Sequence, residues 1–159
     1  MRKTLATFFA TIVLVLPVLA QNDYKEAERN ANAGDYPTAV IYARKAVQAN
    51  QDDAKTLALA ARIYMELDLA DTAVMYAKRA YDDDNSNGDY VRLYARSLVE
   101  SGKASQAVPL LRARLKKKDE VATSLELTDA LLAADSVSQA EIVATAAKSK
   151  YSKNAEAYL

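Results

Sequence analysis

The feature that most constrains the fold of this chain is a repeat with a period of 34 residues. That spacing separates the members of two sets: Gly34, Asp68 and Gly102, and Ala39, Ala73 and Ala107. A fourth copy follows one residue early and is marked by Asp135, Ala140 and Ala147. A fixed period of this length is typical of repeat architectures, in which each copy is one supersecondary unit.

Each period predicts two helices joined by a tight turn. In the segment 54–67, apolar residues recur three or four positions apart, as in an amphipathic helix: Leu57, Ala60, Ala61 and Tyr64. The first helix of each pair must then end at a residue with the left-handed backbone conformation. Gly suits that conformation and Asp tolerates it, so we expect the stops at Gly34, Asp68, Gly102 and Asp135.

The second helix of each pair is predicted from its first turn. That turn carries Pro, which is harmless there, or Asp or Ser, which can bond free backbone N–H groups: Pro37, Asp71, Ser105 and Ser138. An alanine follows in every copy, at 39, 73, 107 and 140. Only a small side chain lets two helices of a tight hairpin cross closely, so we expect these alanines at the crossing.

These residues resemble the tetratricopeptide repeat (TPR) family. In that family's pattern, the first helix has a large apolar residue near its start, then small residues such as Ala61 and Ala95, and an aromatic such as Tyr64. The second helix has the alanines named above. The resemblance implies an all-α fold, a right-handed superhelical solenoid of about four hairpins. The predicted repeats are 21–53, 54–87, 88–120 and 121–154.

The copies depart from the family pattern at several positions. The first repeat is polar where Leu and Tyr are usual, at Glu26 and Asn30, which suits an end repeat that faces water. Arg114 replaces a late alanine, and Ser124 stands where a bulky residue is expected. The last stretch, 155–159, looks like the start of a further helix. It indicates either a fragment of a longer protein or an open end that stacks on another molecule.

The first twenty residues have the order of a secretory signal. Arg2 and Lys3 precede an apolar stretch over 5–19, and Ala20 ends a small-residue cleavage site. A retained membrane anchor is the alternative, but the apolar run is short of the roughly 20 residues that a bilayer needs. We therefore expect 1–20 to be a removed signal peptide, with no stable membrane span afterwards. The predicted location is the periplasm, the outer envelope or the outside of the cell.

Composition argues against most kinds of chemistry. Signal removal leaves 21 − 2 = 19 Lys and Arg against 21 Asp and Glu, a net charge of −2, so no overall field attracts nucleic acid. The chain has no Cys and no His, which removes disulfides, thiolate metal sites and the usual nucleophile–His pairs. Its three glycines lie far apart and form no phosphate loop. The prediction is a protein that is not an enzyme and holds no cofactor or metal.

Two charged stretches have a functional and a structural interpretation. Around Asp83 to Gly88, the spacing of oxygen-bearing residues fits the opening of a calcium loop, but the closing Glu would fall at Tyr94. We interpret the stretch as a turn between hairpins. The cations at 112, 114 and 116–118 could bind an anion, but we expect them to offset the negative end of their helix.

The family resemblance implies that the first helices line a concave groove that binds peptides. The groove-facing positions carried over are, from the first repeat to the fourth, Tyr24, Glu28, Asn32, Lys55, Ala58, Arg62, Glu66, Asp89, Arg92, Arg96, Glu100, Leu125, Asp129 and Leu132. Arginine pairs with carboxylates through two bonds, which favours a partner protein or peptide with acidic groups. The alternative is that the arginines pair with Glu66 and Glu100, one helical turn away. Tyr24 and Glu28 replace the Lys and Asn of the chaperone-type carboxylate clamp, so that clamp is not expected.

Two functions follow from this sequence. The first is a protein–protein interaction scaffold of the bacterial envelope. The alternative is a structural protein that forms an oligomer or filament when the last repeat of one copy stacks on the first repeat of another.

Overall fold

The computed structural model describes residues 21–156, with side chains up to Ser152, and every regular element in that range is a helix. The helices are α1 (21–32), α2 (Tyr36–Ala49), α3 (Ala54–Glu66), α4 (Ala70–Asp83), α5 (Gly88–Glu100), α6 (Ala104–Lys117), α7 (Val121–Ala133) and α8 (Val137–Glu156). The predicted all-α fold is confirmed. The predicted signal peptide, 1–20, lies outside the described residues.

The helices form two compact units. Unit 1 ends at Asp83 and contains α1 to α4, and unit 2 begins at Asp84 and contains α5 to α8. In unit 1, α3 packs against α2 and α4; in unit 2, α7 packs against α5, α6 and α8. None of the helices within 21–156 is both long enough and apolar enough to cross a bilayer.

The left-handed turns lie where the repeat predicts them. The backbone φ angle is 78° at Gly34, 57° at Asp68, 74° at Gly102 and 54° at Asp135. After each of them, the next N–H donates to a carbonyl five residues back, as from Leu69 to Tyr64 at 2.9 Å and from Ser136 to Leu131 at 2.8 Å. This bond satisfies a helix-end carbonyl that would otherwise lack a partner, and it reverses the chain direction.

The helix starts agree with the sequence only in part. Asp35 accepts a hydrogen bond from the N–H of Thr38 at 3.1 Å, and α2 has Pro37 in its first turn. Ser105 lies in the first turn of α6, as expected, but the capping position is Lys103, which makes no side-chain cap bond. The turn before α6 is already closed by the bond from the Lys103 N–H to the Leu98 carbonyl at 2.8 Å, which sets where the helix begins.

The repeated alanines are buried between helices. Ala39, Ala73 and Ala107 are 0% exposed and Ala140 is 1% exposed, which agrees with the close helix packing predicted at these positions. In unit 1, the rings of Tyr64 and Tyr76 stack with centroids 5.4 Å apart. A stacked aromatic pair adds about 1 kcal/mol beyond the area it buries.

The end of the chain differs from the sequence prediction. Ala155 and Glu156 continue α8, whereas the sequence predicts that a further helix starts at 155. Neither Gly nor Pro occurs between Val137 and Glu156, so no residue in that range forces the helix to stop. The remaining residues of that stretch, 157–159, lie outside the described residues.

The left-handed Asp68 provides a test of the turn. We expect Asp68→Gly to raise the free energy of unfolding by about 0.5–1 kcal/mol, because Gly adopts positive φ without the cost borne by other residues. The matched control is Asp71→Gly in the first turn of α4, which should lower it by about 1 kcal/mol because Gly disfavours a helix. Urea unfolding measures both. A loss of stability in Asp68→Gly would contradict this account of the turn.

Candidate functional site

In unit 1, α1 and α3 form a cleft that contains two of the predicted site residues. The cleft has a volume of about 330 Å³, and Tyr24 and Lys55 both line it, with Lys25, Glu28 and Asp53. The Lys55 ammonium lies over the Tyr24 ring, 4.8 Å from its centroid. A cation over an aromatic face is attracted by the ring's negative centre, so this contact holds both side chains in place.

The hydroxyl of Tyr24 is a fixed hydrogen-bond donor in this cleft. It donates to Oε1 of Glu28 at 3.1 Å. Burial, the hydrogen bond to Glu28 and the negative charge of Glu28 raise the pKa of Tyr24 to about 12. The phenol therefore stays protonated at any pH at which the protein is used, and it occupies one of the two carboxylate oxygens of Glu28.

The third predicted residue of unit 1, Arg62, has an exposed side chain with few internal partners. Its Nε donates to the carbonyl of Ala58 at 3.4 Å. Among residues 21–152 no carboxylate lies within ion-pair distance of Arg62, so the expected pairing with Glu66 is not formed. Ala58 itself is only 1% exposed, so its assignment to the groove surface was wrong. Its methyl group is buried within unit 1 and is not on the exposed face of α3.

In unit 2, the two predicted arginines of α5 differ in their surroundings. Arg92 has a side chain only 20% exposed and bonds Oε2 of Glu120 at 3.1 Å, with Asp89 as a second partner. Arg96 is 56% exposed and pairs with Glu126 of α7. The hydrogen bond to Glu126 and the negative charges of Glu126, Glu100 and Asp129 raise the pKa of Arg96, so this part of the surface is already rich in carboxylates. Arg92 therefore supports the fold, and Arg96 faces solvent.

Glu120 is the centre of an ion cluster that the sequence did not reveal. Its carboxylate accepts bonds from Arg114 at 2.9 Å, from Lys118 at 3.0 Å and from the Thr123 hydroxyl at 3.2 Å, besides Arg92. The bonds from Arg114 and Lys118 lower the pKa of Glu120 to about 2. The cluster joins α5, the end of α6 and the start of α7.

The side chain of Arg114 stabilises the fold through its contacts with neighbouring residues. Its guanidinium donates to the Ser86 carbonyl at 2.7 Å, and a Cβ placed on Gly88 would lie 2.6 Å from Nη2 of Arg114. Two departures from the repeat pattern could have indicated this contact in the sequence. Arg114 stands in place of an alanine, and Gly88 stands at the start of a helix. Arg112 bonds Gln139 at 2.6 Å, so this cation also has a partner within the fold.

The stretch at 84–87 forms a turn before α5. Oδ1 of Asp84 accepts bonds from the Ser86 hydroxyl at 2.6 Å and from the N–H groups of Ser86 at 3.0 Å and Asn87 at 3.2 Å, and these bonds lower the pKa of Asp84. The side chain of Asn87 caps α5 by accepting from the Asp89 N–H at 2.9 Å. Across the part of the chain that the structure describes, no three acidic side chains lie close enough together to hold a metal ion.

Comparison with solved structures identifies the fold. A protein described as MamA superimposes with a TM-score of 0.78 at 14% sequence identity, over 93% of this chain and 87% of that chain. The second TPR domain of human RPAP3, solved in complex with the HSP70 peptide SGPTIEEVD, gives a TM-score of 0.66 at 16% identity, over 72% of this chain and 97% of the domain. The chain has the tetratricopeptide repeat fold.

The likeness is one of fold, since these identities are low. A mutant O-GlcNAc transferase from Thermobaculum terrenum also matches, with a TM-score of 0.64 at 20% identity over 73% of this chain. This chain spans only 22% of that transferase. No protein-family model and no curated protein matches the sequence.

The ion cluster gives a prediction about pH. The folded-state pKa of Glu120, about 2, lies below its ordinary value of 4.5, so its stabilising contribution is complete above 4.5 and is lost as the pH falls towards 2. We expect Glu120→Gln to lower the free energy of unfolding by about 2 kcal/mol at neutral pH. This deficit should shrink steadily as the pH falls through that range.

Urea unfolding of both proteins over a pH series measures this difference. Glu141→Gln, at an exposed glutamate on α8, is the matched control and should change the free energy of unfolding by less than about 0.5 kcal/mol. A deficit of Glu120→Gln that stays constant down to pH 2 would show that the charge on Glu120 is not what stabilises the cluster.

Proposed function

We propose that this chain is a non-catalytic interaction scaffold that binds an acidic segment of a partner protein on the first-helix surface of unit 1. The observation that carries this proposal is the state of the charged groups there. Arg62 is exposed with no carboxylate partner among residues 21–152, while Lys55 is fixed over the Tyr24 ring. An exposed guanidinium can form two parallel bonds to one carboxylate of a ligand.

The cleft brings two ammonium groups together with two carboxylates that bond within the fold. Glu28 accepts from Tyr24 at 3.1 Å, and Asp53 accepts from the N–H of Thr56 at 2.8 Å as the cap of α3, so one oxygen of each carboxylate is in use. Lys25 lines the cleft together with Lys55. Their ammonium groups are hydrogen-bond donors, which complement a carboxylate.

The likeness to peptide-binding structures supports this function in general terms. The RPAP3 domain was solved with an acidic HSP70 peptide. In this chain Tyr24 and Glu28 stand where the chaperone-type clamp has Lys and Asn, and the two are bonded to each other. We therefore propose a partner that is recognised through internal acidic side chains and not through its C-terminal carboxylate.

The proposal predicts a loss of binding on charge reversal. We expect Lys55→Glu combined with Arg62→Glu to weaken the binding of acidic peptides, selected from a peptide array, by at least about tenfold, since repulsion replaces two attractions. The control is Lys45→Glu with Lys78→Glu, which changes the net charge equally but on exposed positions of α2 and α4. Fluorescence anisotropy measures affinity, and circular dichroism verifies helix content.

Arg92 is unsuitable for the same test, because Arg92→Glu would place a second carboxylate against Glu120 and disturb unit 2. Arg96→Glu leaves that cluster intact and reports on the surface of α5. If both double variants bind the acidic peptides as the unchanged chain does, the first-helix surface of unit 1 is not the binding site. Equal loss in both would indicate a nonspecific effect of net charge.

We further propose that the chain acts outside the cytoplasm, in the periplasm or at the outer envelope. The support is the order of charge, apolar run and small residues in 1–20. Expression in a bacterial host should yield a chain that begins at Gln21 and is released with the periplasmic fraction. N-terminal sequencing measures this, and an intact Met1 in the cytoplasmic fraction would contradict it.

End-to-end assembly is the alternative proposal. The observation that favours it is the set of exposed apolar side chains on the last helix pair, among them Leu132 at 49% and Val137 at 61% exposure. An apolar surface of this kind can bury itself against another copy. Light scattering over a concentration series distinguishes the two, because a constant monomer mass excludes assembly.

A further inference from the structure

Over its described side chains, 137–152, helix α8 is the least buried helix of unit 2. Ala140 is the only buried residue in that range, whereas α7 has five. The large side chains of Val137 and Ile142 are 61% and 69% exposed. Since helices in proteins are stabilised mainly by the packing of one face, α8 has an uncovered face that a second contact would stabilise further.

One side of α8 borders a cleft with α6, and the charged groups there are already paired. The cleft has a volume of about 370 Å³, and Ser124 and Ile142 are among the residues that line it. At one end of it Lys150 forms an ion pair with Asp119, which also accepts a hydrogen bond from the Tyr151 hydroxyl at 2.7 Å. These two charges therefore offset each other within unit 2.

Exposed apolar side chains are concentrated on the last helix pair. Of the eight large apolar side chains that are exposed among residues 21–152, three lie on α7, two on α8 and none on α1. Exposed positions of α1 instead carry charged residues, among them Lys25, Glu28 and Arg29. Stacking the last pair of one copy on the first repeat of another would set apolar groups against charges, and removing charges from water is costly. A second copy of the last pair is a better match.

The outward face of α8 carries an acid and a base that the fold does not use. Glu141 and Lys148 are seven residues apart, which is about two turns, so they lie on the same side of the helix. Both are exposed, and neither side chain has a bonding partner among residues 21–152. Thr145 lies between them, and helical geometry places Val137 and Ile142 on the two sides of this row. With the acid nearer the start of α8 and the base nearer its end, the face complements itself when one copy is reversed.

We propose that α8 pairs in antiparallel orientation with α8 of a second copy of this chain, so that Glu141 of each copy bonds Lys148 of the other. The proposal rests on the assembly alternative given above and specifies its partner and geometry. A contact centred near Thr145 would cover Val137 and Ile142 of both copies and release the water around them. The ion pairs set the direction, because a parallel pair would place like charges side by side.

The two-fold arrangement also limits the size of the assembly. An isologous contact uses the same surface on both copies, so the assembly closes once two copies have met. A head-to-tail contact would leave a free end on each copy and would propagate. Antiparallel helices also bring opposite ends of their dipoles together, which adds a small attraction. We therefore expect a dimer and not a filament.

Sedimentation equilibrium of the full chain over a concentration series measures the assembly. We expect a mass that rises with concentration to twice the monomer value and no further. Ile142→Glu should raise the dissociation constant of the dimer at least about tenfold, because it places two carboxylates in an apolar part of the contact. The matched control is Ile41→Glu, at an isoleucine of α2 that is 54% exposed, and it should leave the dissociation constant unchanged.

An exchange of charges tests the antiparallel geometry. Glu141→Lys alone and Lys148→Glu alone should each raise the dissociation constant at least about tenfold, because both ion pairs become repulsions. The double variant should dimerise as the unchanged chain does, since it restores both pairs with their charges exchanged. An equimolar mixture of the two single variants should form a mixed dimer, in which one copy supplies the cations and the other the acids. Circular dichroism verifies the helix content of each variant.

Each contrary result overturns a defined part of the proposal. A monomer at every concentration would overturn the dimer together with the assembly alternative, whereas a mass that grows beyond two copies would overturn the dimer alone. A dimer that neither Ile142→Glu nor the single charge variants weaken would show that the contact is not on α8. If the double variant and the mixture both stay monomeric with their helix content kept, the antiparallel pairing is wrong. Peptide binding by the Lys55 and Arg62 variant reports on unit 1 alone, so the scaffold function and the dimer fail separately.

Discussion

The close crossing of two helices at a buried alanine is the contact on which every hairpin of this chain depends. At Ala39, Ala73, Ala107 and Ala140 the side chain is a single methyl group with almost no exposed surface. A larger residue would push the two axes apart and open the core on both sides. The left-handed turn that precedes each alanine aims the second helix at this crossing, so the turn and the alanine recur together at a fixed spacing.

The departures from the repeat have structural consequences. The third repeat has Arg114 in place of its late alanine, and this arginine bonds Glu120 and Ser86. Its guanidinium lies so close to Gly88 that a Cβ at that position would contact it. Where the fourth repeat lacks a bulky residue, Ser124 leaves a cleft. The polar cluster fills the space around Arg114, whereas the space beside Ser124 stays open.

The two clefts differ in the groups that line them. In unit 1, Lys25 and Lys55 line the cleft beside Glu28 and Asp53, each of which uses one oxygen within the fold. Between α6 and α8 of unit 2, apolar walls end at the ion pair of Lys150 with Asp119.

The sequence alone determined the all-α fold, the hairpin register and the four left-handed positions, because these depend on local steric properties repeated at a constant period. It also placed Tyr24, Lys55 and Arg62 on first helices, since helical periodicity assigns residues to faces. Only the tertiary structure decided which charges are available. Whether Arg92 binds a partner or stabilises the fold depends on Glu120, a residue 28 positions away at the N-cap of α7. The same holds for Arg62, whose nearest acid along its helix, Glu66, does not pair with it. Ion pairs form between long side chains from different helices, and their geometry is set by packing that no single segment encodes.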